Sequence, residues 1–371
     1  MQESELPGLA AQVLWAAFFL AAVFGAIAQR THFCTMGAVS DIVNMGDWGR
    51  MRMWALAIGV AVLGFNGMVG LGWVEAGKTI YTAPRLIWLS NLLGGVMFGF
   101  GMVLASGCGS KTLVRVGGGS LKGVVVFAVL AIAAYATMRG LFGVWRVATV
   151  DQVAIALPAG QDLPSLMAYA TGGSRQTLAL VAGGVVGLGL VAWAVARPEG
   201  RSAEVLLAGL GIGTVIVGVW WVSGRLGHLP EHPVTLEEAF IATNSQRMES
   251  LTFVAPIAYT VDWLILFSDK SKVLTVGIVT TLGVIAGSAL VALATRTFRW
   301  EGFVSTEDTA LHLIGAVLMG VGGVTAMGCT VGQGLSGLST LALGSVIAFA
   351  GIVGGAVAAL KVQMWRLERQ A

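Results

Sequence analysis

The chain predicts an all-α integral membrane protein of about nine transmembrane helices plus short re-entrant half-helices. Three observations carry this. Of 371 residues, 56% are hydrophobic and only 11% charged, against roughly 25% charged in a soluble domain, so too few charges are present to cover a soluble surface. Apolar runs long enough to cross a bilayer, about 20 residues each, recur along the chain. Glycine, at 53 residues, is about twice its usual share, as expected where helices must pack closely without a hydrophobic drive between them.

The spans follow in order. The first half supplies 9–28, 53–73, 87–105 and 123–138, and a single run, 177–196, follows. The second half supplies 205–222, 273–295, 311–327 and 339–360. Four further apolar segments are too short or interrupted to cross: 33–46, 108–117, 251–267 and 329–337. Non-helical backbone at membrane depth survives only where protein buries it or it lines a cavity, so these segments mark where a pathway runs. Tryptophans 15, 48, 54, 73, 88, 145, 300 and 365 fall near span ends, the pattern of an interfacial belt.

The polar stretches are few. Residues 140–175 and 223–247 read as surface loops, each with a short helix, the second signalled by Thr235 and Glu238 in capping-box spacing. His228 and His232 stand at a metal-like spacing, but Pro230 and Pro233 break the helix that would align them. The net charge of +3 comes without a basic run, which points away from nucleic acid. Asp41 and Asp262 fall within apolar segments, where a charge is either functional or interfacial. Asn66, Asn91 and His312 lie in spans and read as interhelical ties.

An internal repeat organises the rest. Leu92 to Cys108 and Leu313 to Cys329 align without gaps at an offset of 221 residues, with 9 of 17 positions identical. A second match is weaker: near offset 220, Phe33 meets Phe253, but Cys34 meets Val254. Four spans, one crossing span and four more predict an inverted repeat. Repeat one covers residues 1–141, a linker span 142–204 and repeat two 205–371. With nine spans, 13 basic residues share the face of the C-terminus and 9 the other, so the positive-inside rule predicts a cytoplasmic C-terminus.

The three cysteines, Cys34, Cys108 and Cys329, have no CxxC spacing and are odd in number, which argues against a disulfide framework or a zinc site. Each instead lies where an apolar stretch starts or stops, in Arg30-Thr-His-Phe-Cys34, Ser106-Gly107-Cys108-Gly109-Ser110-Lys111 and Gly328-Cys329-Thr330-Val-Gly-Gln333. A cysteine heading a half-helix meets converging N–H groups and the positive end of the helix dipole, an environment for an anion. Lys111 adds charge; Ser110, Thr330 and Gln333 add neutral donors. Packing is the competing reading for buried thiols, but two of the three fall at repeat-equivalent positions.

These three blocks resemble the YeeE/YedE family, in order from residue 30 to 337. Its best-understood members are bacterial inner-membrane thiosulfate importers. The resemblance implies an hourglass-like transporter of paired repeats, with short helices pointing inward. It implies thiosulfate passing by S–H hydrogen bonds between Cys34, Cys108 and Cys329, without covalent change and without a cofactor. Gly107, Gly109, Ser110, Lys111, Gly328, Thr330 and Gln333 are the expected substrate-binding residues. A separate TusA-like sulfur-carrier protein is an implied partner. The loops 140–175 and 223–247 have no match in the family pattern, which leaves related sulfur or selenium species open as substrate. Three other readings stand beside transport of a sulfur anion: a membrane sulfurtransferase or thiol redox protein forming persulfides or disulfides, a soft-metal transporter, and a structural subunit that recruits the sulfur carrier.

Overall fold

The computed structural model describes residues 3–370. Among them nine helices or helix pairs are long and apolar enough to cross a membrane, and each overlaps one of the nine predicted runs. The chain order is α1 (Leu6–Thr31), α2 (Thr35–Met45), α3 (Gly49–Gly70), α4 (Trp88–Leu104), α5 (Gly109–Gly117), α6 (Leu121–Arg139), α7 (Leu141–Ala148), α8 (Leu163–Thr171) and α9 (Arg175–Val195). There follow α10 (Ala203–Trp221), α11 (Val254–Ile265), α12 (Val276–Ala294), α13 (Thr306–Thr325) and α14 (Leu343–Gln370). All four short apolar segments are helical: α2, α5, α11 and residues 330–339, the last with a π-helical turn at Gly332–Gly337.

Close backbone approach holds the bundle together. α4 packs along α14 and crosses α13; α13 in turn packs on α6. At the α4–α13 crossing, a Cβ on Gly101 would lie 2.7 Å from the Gly315 carbonyl oxygen, and one on Gly315 would lie 2.6 Å from that of Gly101. These glycines let two backbones touch where lipid supplies no hydrophobic drive. α1 packs on α12, α3 on α10, and α9 covers the outer side of α3. Asn66 ties α3 to the end of the 330–339 helix, its amide donating to the Ser339 carbonyl at 2.9 Å.

Three expectations change. Residues 223–247 hold no α-helix: after a π-helical turn at Val222–Leu226 they form an antiparallel pair, β3 (His228–Leu229) with β4 (Ala239–Phe240), while β1 (Arg85–Leu86) pairs with β2 (Ile155–Ala156). Glu238 does not cap a helix but pairs with Lys78 and, at 2.8 Å, with His228, while the His232 ring accepts from the Val234 and Thr235 amides. The local turn chemistry of the two prolines outweighs the capping spacing. Trp54 is no interfacial anchor: it is 2% exposed and stacked between Phe33 at 4.5 Å and Phe349 at 6.1 Å. His312 bonds within its own helix, to the Asp308 carbonyl. Asp41 and Asp262 each find a cation, Arg50 at 3.3 Å and Lys272 at 2.6 Å.

Candidate functional site

Each cysteine is built by the same backbone device. α1, α4 and α13 end in a residue of left-handed conformation, His32 (φ 50), Ser106 (φ 55) and Met327 (φ 58), placed two positions before Cys34, Cys108 and Cys329. After α4 and α13 the next amide reaches back to close the helix, Gly107 to the Met102 carbonyl and Gly328 to the Gly323 carbonyl, both at 2.8 Å. The chain then extends through the cysteine, which opens the next helix. The carbonyls of Cys34, Cys108 and Cys329 accept from the amides of Ala38 (3.0 Å), Thr112 (2.9 Å) and Gln333 (2.7 Å). No side chain other than glycine takes this conformation for free; it costs about 1–2 kcal/mol, and three non-glycine residues hold it here.

All three thiols are free and buried, at 7, 1 and 0% exposure in chain order. As N-caps they sit where the first amides of α2, α5 and the 330–339 helix lack intrahelical acceptors. At Cys329 the Gly332 amide donates to the sulfur at 3.4 Å, and the Phe253 and Val331 amides also face it. At Cys34 the Met36 and Gly37 amides do the same. Cys108 Sγ lies 3.2 Å from Ser110 Oγ. No sulfur is bonded to or in hydrogen-bond contact with another among the described residues.

Lys111, one turn into α5, is the site's cation. It stands near both Cys34 and Cys108, and no carboxylate lies within ion-pair distance of it among the described residues. Gly107 leaves room for its stem: a Cβ there would stand 3.0 Å from Lys111 Cγ. Gly109 faces α11, where a Cβ would be 3.8 Å from Phe253 Cβ and from Ile257 Cδ1. Beyond Cys329, Gln333 donates to the Ala326 carbonyl at 2.5 Å and packs on Gly328. Its Oε1 and the Thr330 hydroxyl are buried without partners among the described residues, which is costly unless something binds there. Sequence reading missed other groups of this kind, among them the Thr35 hydroxyl beside Cys34 and the Trp54 indole N–H. The Cys-Thr pair that Cys34 shares with Cys329 was the available signal. It also missed Tyr81 and Thr252, brought against Gly332 from distant loops.

A family model described as Sulphur transport matches residues 30–358. The chain is 26% identical over 326 residues to Thiosulfate transporter TsuA of Escherichia coli, covering 85% of this chain and 84% of that one. It is 26% identical over 359 residues to Thiosulfate transporter TsuA of Spirochaeta thermophila, covering 91% and 94%. A shorter match, 29% over 94 residues, joins it to Probable transporter YedE of Salmonella typhimurium, covering 25% and 21%. The chain belongs to this sulphur transport family.

Proposed function

We propose that this multi-pass membrane protein carries thiosulfate across the bacterial inner membrane and is not an enzyme. Cys34, Cys108 and Cys329 serve as successive stations that hold the anion by S–H hydrogen bonds. The observation that carries the reading is the threefold recurrence of one device, a buried free thiol at the head of a short helix inside a broken span. Thiols and helix N-termini suit a soft anion, and stations of modest affinity let it leave again. Gly107, Gly109 and Gly328 admit backbone close to it, Ser110, Thr330 and Gln333 donate, and Lys111 attracts. The substrate for which the relatives are named supports thiosulfate over other sulfur species.

The inverted repeat is part of the proposal. It is supported by packing: α1 meets α12 as α10 meets α3, and α4 meets α14 as α13 meets α6. The odd number of spans and the 13 to 9 division of basic residues support a cytoplasmic C-terminus. Reporter fusions after Arg139 and after Val195 should then report opposite sides. A separate TusA-like carrier is the proposed cytoplasmic partner, testable by co-purification.

The deciding experiment is thiosulfate uptake into liposomes holding the purified protein alone. Wild type takes it up; Cys108→Ser and Cys329→Ser fall to the level of empty vesicles at equal reconstitution. Uptake that survives both substitutions reduces the thiols to packing. A persulfide found on Cys108 by intact mass would replace transport by sulfur transfer.

A further inference from the structure

Two cavities lead toward Cys329 from the face that carries the long loops. The outer one, about 600 Å³, is walled by Arg139 of α6, by Tyr259 and Asp262 of α11, and by Lys272. The inner one, about 100 Å³, shares Asn244 and Tyr259 with it and is further lined by Tyr81, Glu249 and Thr252. Its floor is close to the thiol. A Cβ on Gly332 would lie 2.4 Å from Thr252 Oγ1 and 3.5 Å from Tyr81 Oη, and it is the Gly332 amide that donates to Cys329 Sγ.

The lining is chemically odd for an anion path, because it includes a carboxyl. Glu249 is held in place by its backbone: its amide donates to Ser223 Oγ at 3.1 Å, and its neighbour Ser250 donates to the Ile216 carbonyl at 2.9 Å. Its Oε1 accepts from the Ser245 amide at 2.7 Å. No lysine, arginine or histidine lies within ion-pair distance of it among the described residues. The titratable groups facing it are Tyr81 from the loop before β1 and Tyr259 from α11; α12 contributes only Gly277. Arg247, on the same strap, donates to the Thr79 carbonyl. Arg139, Asp262 and Lys272 stand beyond Tyr259 in the outer cavity. Burial pushes the Glu249 carboxyl up from its ordinary range, opposed only in part by hydrogen bonds from Ser245 and the Asn244 amide and by no cation among the described residues.

We infer that the inner cavity is a binding station for a tetrahedral oxyanion next to Cys329, and that Glu249 serves it in its neutral form. This rests on the transport reading above. A neutral carboxyl donates an O–H, and with the hydroxyls of Tyr81, Tyr259 and Thr252 and the Asn244 amide it completes a ring of uncharged donors around a small anion. Ionised, the same group repels the anion across a space that water screens poorly. Above the carboxyl's pKa the competent fraction falls about tenfold per pH unit, so thiosulfate uptake falls as pH rises.

The test measures liposome uptake of thiosulfate from pH 5 to pH 9 for wild type, Glu249→Gln and Tyr259→Phe. Wild type should lose uptake toward high pH. Glu249→Gln, uncharged at every pH, should flatten the profile so that its uptake no longer falls between pH 5 and pH 9, and Tyr259→Phe should weaken uptake with the profile unshifted. A wild-type profile that is flat overturns the inference whether or not any variant folds, as does a Glu249→Gln profile that falls like the wild type. Wild type that takes up no thiosulfate at any pH overturns the transport reading instead.

Discussion

The break before α2 and the break before α11 do the same thing by different means. At the first, α1 runs straight into a left-handed His32 and the chain restarts two residues later at Cys34. At the second, α10 ends far upstream, and the chain makes the β3–β4 hairpin and a strap before Phe253 opens α11. The compact break leaves a thiol enclosed by helices; the extended one brings Glu249 and Thr252 to a cavity beside another segment's thiol. A helix that turns within two residues into the next leaves little backbone to hold, whereas a long loop must be tied down by other elements.

The rigid side of that contrast breaks first at its glycines. A Cβ on Gly99 would lie 2.0 Å from the Ile352 carbonyl oxygen, between α4 and α14. Gly99→Ala should cost about 1–3 kcal/mol, read as a lower thermal midpoint in detergent, while Gly189→Ala, with nothing within 4 Å, should leave it unchanged. Equal midpoints would mean that the helices are not held at that distance.

The closure device itself is sharpened at Ser106. Ser106→Gly should gain about 1 kcal/mol and Ser106→Val should lose about as much, since only glycine takes positive φ without strain. Thr252→Gly should show no such gain, because Thr252 is not in that conformation. A gain at both positions would erase the distinction between the two kinds of break. Asn66→Ala should cost about 1 kcal/mol by freeing the Ser339 carbonyl at the end of the Cys329 helix.

The smallest effect belongs to the loop side. The ion pair with Lys78, and next the bond to His228, hold Glu238 below the usual carboxylate range. Its stabilisation is therefore full above the unfolded value and disappears as pH falls through the lower folded one. The pair is about a third exposed, so Glu238→Gln should cost under about 1 kcal/mol near neutral pH. Hydrogen exchange in the hairpin should rise in that variant and stay unchanged in α4 and α13.

Much of this was legible in the residues. Run length and charge located nine spans, since apolar length is what a bilayer selects. Short length and interruption by glycine or by Pro256 located the four short helices, and the Gly-Cys identities picked out Cys108 and Cys329. Trp54 and Glu238 were misread because position near a span end or a capping interval is local, while stacking on Phe349 and pairing with Lys78 join residues 295 and 160 positions apart.

By itself, then, the sequence determined which segments enter the membrane, where they break and which thiols stand at the breaks, because hydropathy and backbone permissiveness act over a few neighbouring residues. Only the tertiary structure decided that Lys111 stands near both Cys34 and Cys108, that Tyr81 and Thr252 close over Gly332, and that Glu249 lines a cavity without a cation. Those relations depend on how helices distant in sequence cross, and crossing is set by packing between surfaces that no local pattern records.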